Sequence, residues 1–114
     1  MIEFDDFARV DMRVGRITAA RPLAGARKPS YQLRIDFGPE VGERDSAAQL
    51  TVTYPDPAAL IGRQVVAVVN FPPRRIAGFP SEVLVLGAMG EGDQAGHVWL
   101  LEPNPEAPLG AHIG

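Results

Sequence analysis

Arg74 and Arg75 stand side by side in the stretch VVNFPPRRIAGFPSEVLVLG, residues 68–87. A guanidinium is planar, permanently charged and carries its donors in a fork that fits a phosphate or a carboxylate. Pro72 and Pro73 precede the pair and Gly78 follows it. Proline rings fix φ, so the connector is stiff, and stiffness pre-orders whatever the arginines bind. The competing reading is a solvated pair or an ion pair to Glu82. Asn70, at the end of an apolar run, either satisfies backbone groups where a strand stops or contacts a base or ribose. Phe71, Ile76 and Phe79 interleave with these polar residues. They either pack onto the body of the fold or form an apolar patch for an unfolded peptide or a partner subunit.

Other chemistry is poorly supplied. Ser81 is one of three serines, and as a nucleophile it would need a nearby base. His97 and His112 are the only histidines, and neither sits in a recognisable motif. Ser81 is better suited to capping or to a phosphate contact. The chain has no cysteine, which excludes disulfides and thiolate chemistry. Two histidines without cysteines give no metal spacing, and no pair of carboxylates is placed for acid–base work. The expectation is a non-enzymatic protein with no cofactor and no metal.

Net charge is −3, which argues against a general polyanion binder, but the charges are segregated. Residues 9–34 carry seven basic side chains, Lys28 and Arg34 among them, against Asp11 alone. Residues 63–75 add Arg63, Arg74 and Arg75 with no acid, whereas residues 76–114 hold five acids and no base. Such a split either builds one basic face on an acidic molecule or is ordinary solvated charge.

Elements must position these groups. A chain of 114 residues fits one domain, and 46% hydrophobic with 22% charged residues is the composition of a globular fold. No apolar run reaches the about 18 residues of a membrane span, and the acidic start MIEFDDF lacks an apolar signal region. A soluble cytoplasmic protein, not inserted in a membrane, is expected.

Phe4, Phe7 and Val10 predict a short helical turn. The first strand then follows, with a β-bulge at Gly15 that carries the apolar face on through Ile17 and Ala19. Tyr31, Leu33, Ile35 and Phe37 alternate with polar residues as a half-buried strand, leaving Arg34 outside. GPEVGERDS reads as a loop and Gln49–Thr53 as the third strand. Residues 55–62 make a helical turn capped by Asp56, with Pro57 at its first position and Gly62 beyond it. Gln64–Val69 and Val83–Leu86 are the fourth and fifth strands, and HVWLL with a proline-rich tail closes the chain. This order predicts an all-β OB-fold: a five-stranded barrel with a short helix between strands 3 and 4. A six-stranded barrel or sandwich is the alternative.

Several stretches together, DDFARVDMRVGRI (5–17), IDFG (35–38), the 68–87 block and PLGAHIG (108–114), closely resemble the tRNA-binding-domain family. The resemblance covers nearly the whole chain and extends to that family's export-chaperone branch. The same family supplies the OB domains appended to methionyl- and phenylalanyl-tRNA synthetases. Asn70, Pro73, Arg74, Gly78 and Ser81 match its common motif, and Glu82 fits it too. Many tRNA-binding members continue with glycine and methionine, where this chain has Val83 and Leu84. They also place a lysine–leucine pair where Pro29 and Ser30 stand. The resemblance implies a single domain over 1–114, with an N-terminal extension (1–9), a barrel (10–88) and a C-terminal extension (97–114). It further implies a homodimer built from the two extensions. The implied ligand is an unfolded or export-competent polypeptide, or alternatively a tRNA. The candidate ligand-binding residues are Lys28, Arg34, Asn70, Phe71, Arg74, Arg75, Phe79, Ser81 and Glu82.

Overall fold

The computed structural model describes residues 1–114. A helical turn, α1 (Phe4–Ala8), leads into a long first strand, β1 (Met12–Pro22). Then follow β2 (Tyr31–Asp36), a second turn α2 (Gly38–Val41), β3 (Glu43–Ala48), a 3-10 turn at Pro57–Leu60 and β4 (Gln64–Val68). Beyond them lie a small hairpin of β5 (Arg74–Ile76) and β6 (Phe79–Ser81), and the short β7 (Leu84–Val85). A last hairpin joins β8 (Gly87–Met89) to β9 (Val98–Leu100).

Five strands form one antiparallel sheet in the order β3-β2-β1-β4-β7. The sheet curls until its edges meet. Ser46 Oγ in β3 donates to the Val83 carbonyl at 2.9 Å, and the Glu82 N–H donates to the Asp45 carbonyl at 2.8 Å. The result is a nearly closed five-stranded OB barrel, as the strand order predicts. The turn at Pro57–Leu60 lies between its third and fourth strands, and Asp56 caps it by accepting the Ala58 N–H.

The interior follows from alternation. Tyr31, Leu33, Ile35 and Phe37 all point inward and are at most 3% exposed. They pack with Ile17, Leu50, Leu60, Val65, Ala67, Val83 and Leu100 into one cluster. Burying a side chain of this size contributes roughly 1.5–3 kcal/mol, so this cluster is the main source of stability. Gly15 lies where β1 crosses β2 closely: a Cβ there would sit 2.6 Å from both Ile35 Cγ2 and Phe37 Cε1. That close approach, with no bulge, is what the glycine permits.

β1 has two partners along one edge. From Arg16 onward it pairs with β2. Before that point the C-terminal tail takes the edge. Val14 N–H donates to the Ala111 carbonyl at 3.0 Å, Gly110 N–H to the Val14 carbonyl at 2.8 Å, and Ile113 N–H to the Met12 carbonyl at 2.9 Å. The tail also roofs β4, where Gln64 Nε2 donates to the Ala107 carbonyl at 3.2 Å.

Three sequence expectations change. The third strand is Glu43–Ala48, and Gln49–Thr53 forms turns instead. β3 lacks the branched apolar residues that mark strands: Ser46 is its one fully buried residue, and the small Ala48 packs against the core beside it. Its position is set by pairing with β2 and by barrel closure, which override local propensity. Second, the bulge falls between Ile17 and Ala19, so Ala20 rather than Ala19 packs against the core. Third, the long connector between β4 and β7 contains the β5–β6 hairpin. Its tip, Ala77 and Gly78, has φ of 51° and 80°. Positive φ at both central residues is the condition for a two-residue hairpin loop whose twist matches its strands.

Candidate ligand-binding groove

One groove of about 870 Å³ opens on the barrel surface. Its walls are the loop from β1 to β2, the end of β3, β5 with the adjoining Ala77, and the stretch from β7 into β8. In an OB-fold, the second and third strands and these two connecting loops form the usual ligand face. The floor is apolar: Leu50, Leu84, Val85, Leu86, Val98 and Leu100. Leu84 and Met89 remain 49% and 77% exposed, so the floor runs onto an open apolar surface.

The rim is basic. Arg27 and Lys28 line it from the β1–β2 loop, and Arg74 and Arg75 from β5, all four exposed. No acidic side chain and no aromatic ring lines the groove. Arg75 Nη1 donates to the Gly78 carbonyl at 2.8 Å, which folds that side chain back along the hairpin. The Arg74 side chain forms neither an ion pair nor a hydrogen bond, and neither arginine pairs with Glu82. The groove therefore offers uncompensated cations beside an apolar floor. That combination suits a ligand carrying both apolar groups and negative charge.

Lys28, Arg74 and Arg75 come together here, joined by Arg27. The Arg27–Lys28 dipeptide, in a Gly-, Ala- and Pro-containing loop, is the sequence signal that marks the second rim. The other candidate residues lie elsewhere. Ser81 Oγ accepts the Ala47 N–H at 3.0 Å and Glu82 Oε1 accepts the Asp45 N–H at 2.9 Å, so both tie the connector to β3. Arg34 points outward and pairs with Asp45 at 3.1 Å and Glu43 at 3.7 Å. Its hydrogen bond with Asp45 holds the guanidinium pKa above the ordinary value, so its charge is largely compensated. Asn70 Oδ1 accepts the Asp11 N–H at 3.0 Å, and its Nδ2 donates to the Arg9 carbonyl at 2.8 Å. Phe71 is half exposed and Phe79 half-buried, both outside the groove.

A second hollow, about 450 Å³, lies where the two ends of the chain meet. Phe4, Phe7, Asn70, His112 and Ile113 line it. Phe4 and Phe7 are 77% and 37% exposed, and Met1 and Ile2 beside them are also exposed. Beneath it, buried Arg13 donates to Asp11 at 2.7 Å, to Glu40 at 3.4 Å and to the Gly110 carbonyl at 3.3 Å. The bond to Asp11 is the main cause of a raised Arg13 pKa.

Elsewhere, Thr53 Oγ1 lies 3.0 Å from His97 Nδ1 and accepts the Val98 N–H at 2.9 Å, while the His97 ring stacks on Trp99 at 5.4 Å. Trp99 is 37% exposed on β9. No three His, Cys, Asp or Glu side chains cluster as metal ligands would. No helix is long and apolar enough to cross a membrane.

Comparison with known proteins places this geometry in context. The family described as "Putative tRNA binding domain" matches residues 12–112. The crystal structure of chaperone CsaA from Bacillus anthracis superposes with a TM-score of 0.91 at 53% identity, covering 100% of this chain and 99% of that one. The CsaA chaperone protein of Picrophilus torridus superposes at 0.89 with 42% identity, and the match covers 100% of both chains. The methionine–tRNA ligase of Enterococcus faecalis is 37% identical over 112 residues, 98% of this chain but 16% of the ligase. The chain therefore corresponds to a small part of that relative.

Proposed function

This chain belongs to the tRNA-binding-domain family, and from that premise we propose that it is a non-enzymatic, chaperone-like protein that binds unfolded or export-competent polypeptide in the basic-rimmed groove. The observation that carries the reading is the lining of the groove: an apolar floor, four cations at the rim and no aromatic ring. The cationic rim can meet the phosphates of a nucleic acid, but without aromatic rings the groove offers no platform for base stacking, the second means by which unpaired bases are held. A polypeptide with apolar and acidic side chains needs only the floor and the rim. The likeness to structures of CsaA chaperones supports the same reading.

In this proposal Arg74, Arg75 and Lys28 contact the ligand, with Arg27 beside them. Asn70, Ser81 and Glu82 hold the connector in place, and Arg34, Phe71 and Phe79 flank it. The protein works as a cytoplasmic homodimer, with residues 1–9 and 97–114 as the extensions that join the subunits around the barrel of residues 10–88. Four exposed apolar side chains at the N-terminus, next to the hollow at Ile113, support that arrangement. A two-fold dimer presents two grooves, which raises avidity for a chain long enough to reach both.

tRNA is the second reading. It is favoured by family membership and by the segregation of basic residues into segments 9–34 and 63–75. Equilibrium titration of a labelled unfolded polypeptide and of tRNA against the same preparation separates the two. Polypeptide binding with weak, strongly salt-dependent tRNA binding supports the first reading; the reverse order supports the second.

A further inference from the structure

The β5–β6 hairpin has a register that fixes where its backbone points. Ala77 and Gly78 form a two-residue loop, so the pair Ile76–Phe79 that closes it exchanges hydrogen bonds. Bonded and non-bonded pairs alternate along an antiparallel ladder. The next pair, Arg75–Pro80, is therefore non-bonded, and Arg74–Ser81 is bonded again. Pro80 is an independent check: it has no N–H, and it occupies the position where none is used within the hairpin. β6 faces β3, to which Ser81 is tied, whereas β5 pairs with β6 alone. The Arg75 N–H and C=O thus project from the free edge of β5, and Arg75 is one of the residues that line the groove. Upstream, Pro73 has no N–H to add, so this edge carries a single donor–acceptor pair between Pro73 and the tip.

We propose that the outer edge of β5 takes up one extended polypeptide strand. The peptide bonds to the Arg75 N–H and C=O, with apolar side chains on Leu84 and its neighbours and acidic ones against Arg74, Lys28 and Arg27. This rests on the groove being the polypeptide site. Main-chain pairing explains how varied sequences can be held, because the backbone is common to all of them. The short, proline-limited, arginine-bearing edge also resists pairing with another copy of itself. Charge complementarity selects the occupant: four cations and no acid line the groove.

The test uses the full chain and a short acetylated peptide alternating valine and glutamate. Amide exchange at Arg75, followed by NMR, should slow at least tenfold at saturating peptide, while exchange at Gly78 stays unchanged. Moving a single N-methyl group along the peptide should weaken binding at least tenfold at one position and little at its neighbours. Arg75→Ala keeps the N–H, so it should lower affinity yet retain the slowed exchange at residue 75. Peptide binding with unaltered exchange and no N-methyl effect would overturn strand addition while leaving the groove as the site. Absence of any peptide binding would remove both, and binding of tRNA alone would do the same.

Discussion

Asn70 is bonded to Asp11 across 59 residues of sequence: its Oδ1 accepts the Asp11 N–H at 3.0 Å. The same amide donates to the Arg9 carbonyl at 2.8 Å, and the Val69 N–H donates to the Asp11 carbonyl at 2.8 Å. Asn70 thus fastens the N-terminal extension to the end of β4. Asn70→Ala should destabilise the protein by about 1–2 kcal/mol, the net worth of two hydrogen bonds, with little change in groove affinity. Asn70→Asp keeps the acceptor, loses the donor and sets a charge against the Arg9 carbonyl, so it should cost more than Asn70→Ala. Urea denaturation beside peptide titration checks both statements.

Gly15→Ala should destabilise by about 1–3 kcal/mol, the usual cost of overpacking. The new methyl would meet Ile35 and Phe37 at 2.6 Å, inside the fully buried core. Thermal melts of the variant should show a lower midpoint with the same fold by circular dichroism.

The hairpin tip should respond in opposite directions. Ala77 is the only non-glycine residue with positive φ, at 51°. Left-handed backbone costs an ordinary L-residue about 1–2 kcal/mol, and asparagine tolerates it better. Ala77→Asn should therefore raise stability by about 0.5–1 kcal/mol, and Gly78→Ala, at φ 80°, should lower it. Denaturant midpoints at constant slope read both.

The barrel was legible where burial is one-sided. Tyr31 to Phe37 alternate cleanly, and Asp56, Pro57 and Gly62 punctuate the turn before β4 as local chemistry requires. β3 was not legible, because Ser46 faces inward only to bond Val83 across the closure, a tertiary demand without local signal. Similar physics divides the candidate site. Arg74, Arg75 and Lys28 carry charge that nothing nearby compensates, so their residue types announced them. Asn70, Ser81 and Glu82 share the same motif, yet their polar atoms are used on the backbone of residues 9–11 and 45–47. Spacing alone does not distinguish a ligand contact from a fastener.

Removing residues 109–114 should abolish cooperative folding. Met12 and Val14 would lose three backbone partners, and buried Arg13 would lose the Gly110 carbonyl. Orphaned buried groups cost roughly 1–3 kcal/mol each, which together rivals the whole stability of a small domain. In the intact protein the Arg13 clamp is no pH sensor near neutrality. Its folded pKa is raised, chiefly by the bond to Asp11, so its contribution is complete below the ordinary guanidinium range and lost only at still higher pH. Melting curves of the intact chain should therefore show no step from Arg13 between about pH 6 and 10.

The central claim is that the arginines of β5 serve a ligand and not the fold. The direct measurement is a titration of labelled unfolded polypeptide into the wild type and the Arg74→Ala/Arg75→Ala variant, with melting curves of both. Exposed charges contribute little to stability, so the variant should melt within about 1 kcal/mol of wild type while binding at least fivefold more weakly. A variant that binds as the wild type does and melts far lower would contradict the account, because the arginines would then be structural and the groove would not be the site.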